Sequence, residues 1–141
     1  MATDPFCYTK SYSADATLGK YTAVKKGSTA NSIAAATAAT DKVLGVLGSL
    51  GATSGQQANV VVFGPCKVLL GGSVVAGDVI VATTAGALIA ATRHTHTENT
   101  AGSYTQNATT GAAAQDNTLG VMLEDGVSGD YPLAFITRGT A

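Results

Sequence analysis

Short runs of adjacent or alternating apolar residues recur along the chain, separated by turns carrying Gly, Ser and Asp. VLGVL from Val43, ANVVVFG from Ala58, CKVLL from Cys66, GDVIVAT from Gly77, TLGVMLE from Thr118 and YPLAFIT from Tyr131 read as strands. GSLGATSGQQ, GGSVVAG and DGVSGD bound them, in residues that favour turns over ladders. Long stretches with the 3.6-residue period of a helix are scarce. The pattern predicts an all-β fold, a small β-barrel or sandwich-like domain. One segment is ambiguous: NSIAAATAAT from Asn31 is rich in alanine, the best helix former by intrinsic propensity.

An internal two-fold repeat resolves the ambiguity. LGKYTAV from Leu18 lies on AGDVIVA from Ala76, with Gly19 on Gly77, and Ile33 then falls on Ile89. KVLGVLG from Lys42 lies on NTLGVML from Asn117, with Leu44, Gly45 and Val46 on Leu119, Gly120 and Val121. Ser-Gly turns follow in both copies, at Ser54 and Ser128, and each leads to an apolar strand ending in glycine. In the second copy GDVIVAT, TAG and ALIAAT read as a hairpin, so NSIAAAT in the first is expected as a strand. The copies are placed at about 18–64 and 76–139, within a single β domain 18–141 preceded by an extended N-terminal arm, 1–17. They differ by a polar insertion at about 93–117, roughly 20 residues beyond an ordinary β connection. Its Thr, Asn, Gly and Gln cannot bury enough apolar surface to offset ordering, which places it on the outside.

Composition narrows the function. With 141 residues the chain fits one domain, and charged residues make up 12% with a net charge of -1, so there is no broad basic face to neutralise phosphates. Nucleic acid is therefore not expected as a direct partner. Neither a secretory leader nor an apolar run long enough to span a bilayer is present, so a membrane is not expected either. Cys7 and Cys66 match no metal or redox spacing and read as reduced, packing thiols.

Catalytic parts are missing from the sequence: no GxSxG, P-loop, HExxH or CxxC occurs, so no catalytic residue and no cofactor is assigned. Asp41 and Asp78 read as turn residues. Glu124 and Asp125 are adjacent carboxylates, but one EDG lacks the ligand count of a calcium loop, and turn formation accounts for it. GGSVVAG has the glycines of a phosphate cradle without its lysine or following helix.

The succession KYTAVKKGSTANSIAAATAATDKVLGVL, VVVFGPCKVLLGGSVVAGDVIVATTAGALIAAT and DNTLGVMLEDGVSGDYPLAFITRG resembles the capsid decoration, or cement, proteins of tailed bacteriophages. The resemblance rests on the order of these pieces and covers most of residues 18–139, leaving out the arm and the insertion. It implies a compact barrel-like domain, a homotrimer on the outer surface of the phage head, and the major capsid protein as partner. The protein would be made in the host bacterial cytoplasm and end in the virion. In that setting, the consecutive apolar residues of VVVFG, notably Val61 and Phe63, are expected at a subunit contact as well as a core. Phe6, Tyr8 and Tyr12, with few aliphatics around them, suit anchoring in a groove of the capsid. A head-fibre or tail-associated structural β protein would share this composition and lack of a site. An enzyme or ligand carrier would need convergent polar groups, and none can be named.

The two histidines, His94 and His96, stand in the insertion, RHTHTENTAGSYTQNATTG. Residues two apart in an extended segment share a side, and a three-fold axis would bring six imidazoles together, enough for an octahedral metal. Two solvated histidines in a polar loop is the preferred reading, and no metal is assigned.

Overall fold

The computed structural model describes residues 7–91 and 117–137. Among them the chain forms β1 Tyr8–Ala14, β2 Ala23–Lys26, β3 Ser32–Ala35, β4 Val43–Leu47, β5 Gln57–Lys67, β6 Val79–Ala82, β7 Leu88–Ala90, β8 Thr118–Met122 and β9 Leu133–Ile136. A single helical turn at Thr84–Gly86 joins β6 to β7. The fold is all-β, and the alanine-rich segment is strand β3, paired with β2 from Val24↔Ala35 to Lys26↔Ile33.

The strand order is β1-β3-β2-β4-β5-β9-β8-β6-β7, and β1 also pairs with β5. That extra pairing closes β1, β3, β2, β4 and β5 into a small barrel, with β1 parallel to β3 and antiparallel to β5. The arm expected over 1–17 is corrected here: Tyr8–Ala14 is a stave of the barrel. Its sequence concealed this because only Ala14 is buried and Tyr12 and Ser13 partly so, while the rest of YTKSYSA faces water. Residues 1–6 lie outside the described residues.

A second unit repeats the first. β6 lies between β7 and β8, β8 pairs with β9, and β9 pairs with the second half of β5 from Gly64↔Ile136 to Lys67↔Leu133. The chain just beyond β5 completes the ring: Leu70 bridges Leu88 in parallel, and the Val68 and Leu70 amides donate to the Pro132 and Asp130 carbonyls. β5 is thus the last stave of one unit and the first of the next. The two segments expected as separate strands, ANVVVFG and CKVLL, run largely as this one strand through Gly64 and Pro65.

Hydrogen bonds make the equivalence exact enough to set the register. The Gly55 amide donates to the Ala14 carbonyl as Gly129 does to Leu70, and Leu47 donates to Thr22 as Met122 does to Asp78. Leu18 bridges Ala52 as Val74 bridges Gly126. Gly45 stands opposite Val24, and Gly120 opposite Ile80, with an irregularity just after Val24 and just after Ile80. The expected match of Gly45 with Gly120 therefore holds in the pairing. The matches of Gly19 with Gly77 and of Ile33 with Ile89 do not: Gly77 corresponds to Tyr21, and Ile33 to Leu88. Alanine- and valine-rich text slides by a residue or two at little cost to the eye, whereas a slip in the ladder turns core residues to the wrong face. Tyr21 and Gly77 share a left-handed backbone, at φ 60° and 96°.

Two clusters fill the units. Ala14, Val24, Ile33, Leu47 and Val60 lie inside the first, with Leu18 and Leu44 packed against them. Leu70, Ile80, Leu88, Met122, Ala134 and Ile136 lie inside the second. Each large aliphatic so buried contributes about 1.5–3 kcal/mol. The second cluster also takes in Ala23, Ala36, Val43 and Val46 from the outer face of the first unit, so the two barrels share one continuous junction. At that junction the Gly86 amide donates to the Ala36 carbonyl and Leu69 to Tyr21.

Candidate functional site

The residues expected at contacts fall in different environments. Tyr8 is 66% exposed on β1, and Phe63, opposite it on β5, is 50% exposed. Val61 is buried, at 6%. Tyr12 is half-buried beside the first core, with the Lys10 ammonium 4.9 Å from its ring centre. Phe6, His94 and His96 lie outside the described residues, as does all of the insertion except Asn117. Asn117 pins the return of the chain: its backbone amide donates to the Ala39 carbonyl and its side-chain amide to those of Thr40 and Asp41.

Tyr8 and Phe63 are one end of a wider surface. The Phe63 ring meets Phe135 edge-on, at 5.4 Å and 82°. Phe135 stands opposite Val121, and Val121 opposite Val79. The result is an outward apolar band across β1, β5, β9, β8 and β6, with Leu123 exposed just beyond β8. Phe135, Val121, Val79 and Leu123 were not singled out from sequence. Strands apolar at nearly every position do not announce which alternate set faces outward; only the glycine at 120, which needs the inner face, gives the parity of β8.

The carboxylates of the described residues are engaged in turns. Glu124 accepts from the Leu133 amide at 2.7 Å, Asp125 from Ala76 at 2.7 Å, Asp78 from Val75 at 2.9 Å and Asp130 from Val127 at 3.1 Å. Asp15 accepts from the Ser28 amide at 2.6 Å, and that bond lowers its pKa. Asp41 gathers the Thr37 amide at 2.7 Å, the Thr37 hydroxyl at 2.9 Å, the Ala38 amide at 3.1 Å and the Lys25 ammonium at 3.1 Å. The Thr37 amide contributes most to holding this carboxyl down at about 2, against the opposing effect of partial burial. These are fasteners of the kind expected for Asp41 and Asp78, with charge-assisted bonds that fix loop geometry.

Among the described residues no three His, Cys, Asp or Glu side chains gather as a metal would require, and no buried side-chain polar atom lacks a hydrogen-bond partner. Cys7 and Cys66 are thiols. Burial beside the second core pushes the Cys66 thiol up to about 12, with the nearby Cys7 adding to the shift.

No protein-family model and no curated protein matches the chain. Among solved structures it is similar to the head fibre gp8.5 N base of bacteriophage phi29, with a TM-score of 0.62 at 14% identity, over 96% of this chain and 98% of that one. The likeness is one of fold, and it extends over both barrels.

Proposed function

We propose that this chain is a structural protein of a tailed-phage head, binding the outer capsid surface as a decoration protein and stabilising the lattice of the major capsid protein. The observation that carries the proposal is the fold shared, almost end to end, with the base of a phage head fibre. The order of sequence motifs, which resembles the decoration proteins, supports the same setting. Two barrels welded through one strand form a body suited to transmitting load, and turn carboxylates committed to loop bonds leave little for chemistry. In this proposal the partner is the major capsid protein, the chain is a homotrimer, and it is not an enzyme.

The second reading is the base of a head fibre, favoured by the identity of the structural neighbour. Heads lacking the protein distinguish the two. Adding purified protein to them should give stoichiometric co-sedimentation in both cases. A decoration protein raises the temperature at which heads release DNA, whereas a fibre base leaves it unchanged and adds a projection. Failure to co-sediment with heads under any condition overturns both.

Attachment through the first residues has its own test. Removing residues 1–12 would take out most of β1 and open the first barrel, so the informative deletion is 1–6, which leaves β1 whole. Loss of attachment with an unchanged melting temperature supports anchoring through Phe6; retained attachment rules it out.

A further inference from the structure

We infer that the apolar band of the second unit, centred on Val79, Val121 and Phe135, is where two copies of this chain meet. The inference does not depend on the phage-head reading. It begins with the repeat. In the first unit the equivalent outer positions, Ala23 and Val46, are fully buried, and what covers them is the second unit: the Thr84–Gly86 turn lies against Thr22 and Ala23. The fold therefore already uses this face of the barrel as a contact between units.

In the second unit the same face is uncovered. Val79 takes the place of Ala23, Val121 that of Val46 and Phe135 that of Val61. Each substitution is apolar and none smaller, the opposite of what a face meant for water would carry. With Phe63 and Tyr8 the band runs across five strands, and its exposed members are between 37% and 66% accessible. A patch of aromatic and branched side chains without charge at its centre has the composition of an interface core. Around it lie charges of both signs, Lys67 opposite Leu133, and Asp78, Glu124 and Asp125 next to Val79 and Leu123 in sequence. An uncharged centre can meet its own copy without burying opposed like charges.

The chain also limits how that contact is made. Head-to-tail stacking, in the manner of the two units, would seat the β2–β3 end of one copy on the band of the next. That end is polar and exposed, at Lys26, Ser28, Thr29 and Asn31, whereas the corresponding end of the second unit buries Ala82 and Gly86. The difference blocks an open filament and leaves a closed assembly, band to band around a symmetry axis.

Sedimentation velocity tests this with the full-length chain, the single variants Val121→Glu and Val79→Lys, and Leu50→Glu, which changes a still more exposed apolar residue, on the first unit away from the band. Wild type and Leu50→Glu should sediment as one closed oligomer at about 10 μM, and each band variant should associate at least about 100-fold more weakly. The band positions are exposed, so both variants should keep the wild-type circular dichroism, and two opposite charges guard against a fold-specific failure of either. A wild-type monomer at that concentration, or assembly unchanged in both variants, overturns the inference. Head co-sedimentation of the same proteins separates the two proposals. Monomeric wild type that binds heads defeats the self-contact, and the homotrimer with it, but leaves head binding standing; an oligomer that ignores heads defeats only the phage-head reading; variants that still assemble but lose heads reassign the band to the capsid.

Discussion

Replacing Gly120 with alanine strikes a tight contact between two staves of the second barrel. Gly120 stands opposite both Ile80 and Ile136, on the strand between β6 and β9. A Cβ there would run into the Phe135 carbonyl oxygen, with the Phe135 carbonyl carbon at 2.9 Å and the Ile136 Cα at 3.1 Å. All three are backbone atoms, so no rotamer change relieves the overlap. Gly45 is the same position in the first barrel, where a Cβ would meet the Val61 carbonyl oxygen and lie 2.8 Å from Val60 Cγ1. Overpacking costs about 1–3 kcal/mol, and a backbone obstacle places both variants at the upper end. The more restricted unfolded chain returns about 0.4–1 kcal/mol, leaving a net loss of about 2 kcal/mol. For a domain of this size that lowers the melting temperature by about 4–8 °C. Gly72→Ala is the control, because its new Cβ meets only Ile89 Cγ2, at 3.4 Å, and its stability should change by less than about 0.5 kcal/mol. Thermal and urea unfolding followed by far-UV circular dichroism measures all three. If Gly45→Ala and Gly120→Ala unfold together with Gly72→Ala, the close approach of the strands, and the paired register built on it, is wrong.

Asp41→Ala should lose about 1 kcal/mol at pH 7, reduced from the full effect of its hydrogen bonds because solvent reaches the carboxylate. Its folded pKa, about 2, lies below the ordinary 3.8, so the contribution is complete above pH 3.8 and disappears as pH falls through 2; a deficit independent of pH in urea titrations would contradict the assignment. With the Cys66 thiol held at about 12 against an ordinary 9.0, its labelling by a thiol reagent at pH 8 should be on the order of 1,000-fold slower in the native protein than in urea, and mass spectrometry showing equal rates would refute its burial. Tyr21→Ala keeps the left-handed backbone but loses the ring contacts with Tyr131 at 5.4 Å and with Lys20, while Tyr21→Gly loses the contacts and relieves the strain. The glycine variant should therefore be the more stable of the two by about 1 kcal/mol, and the reverse order in chemical denaturation would show that Tyr21 is not strained.

Much of the fold was legible because the strands are short, apolar and punctuated by glycine: VLGVL is β4 residue for residue, and TLGVM is β8. The LGV match between copies was legible for a physical reason, since both glycines answer to the same steric demand. Three things were not. β1 has too few inward side chains to show an apolar alternation, because at its end of the barrel a half-buried Tyr12 packs against the core. The double role of β5 is a matter of topology, invisible to a reading that ends a strand at a glycine and a proline. The slip at Ile33 arose where the chain from Lys26 to Ile33 is one residue longer than from Ala82 to Leu88, and that at Gly19 from laying glycine on glycine within loops of equal length; only carbonyl-to-amide pairing fixes such counts. Of the exposed apolar band, the aromatic end at Tyr8 and Phe63 was legible from residue type. The valine end was not, since inner and outer valines read alike.

Cryo-electron microscopy of phage heads with and without the protein tests the phage-head proposal most directly. The expected difference is double-barrel density on the outer surface, seated across neighbouring major capsid subunits, with the bands of adjacent copies turned toward one another. Heads whose outer surface is identical in the two preparations would contradict it.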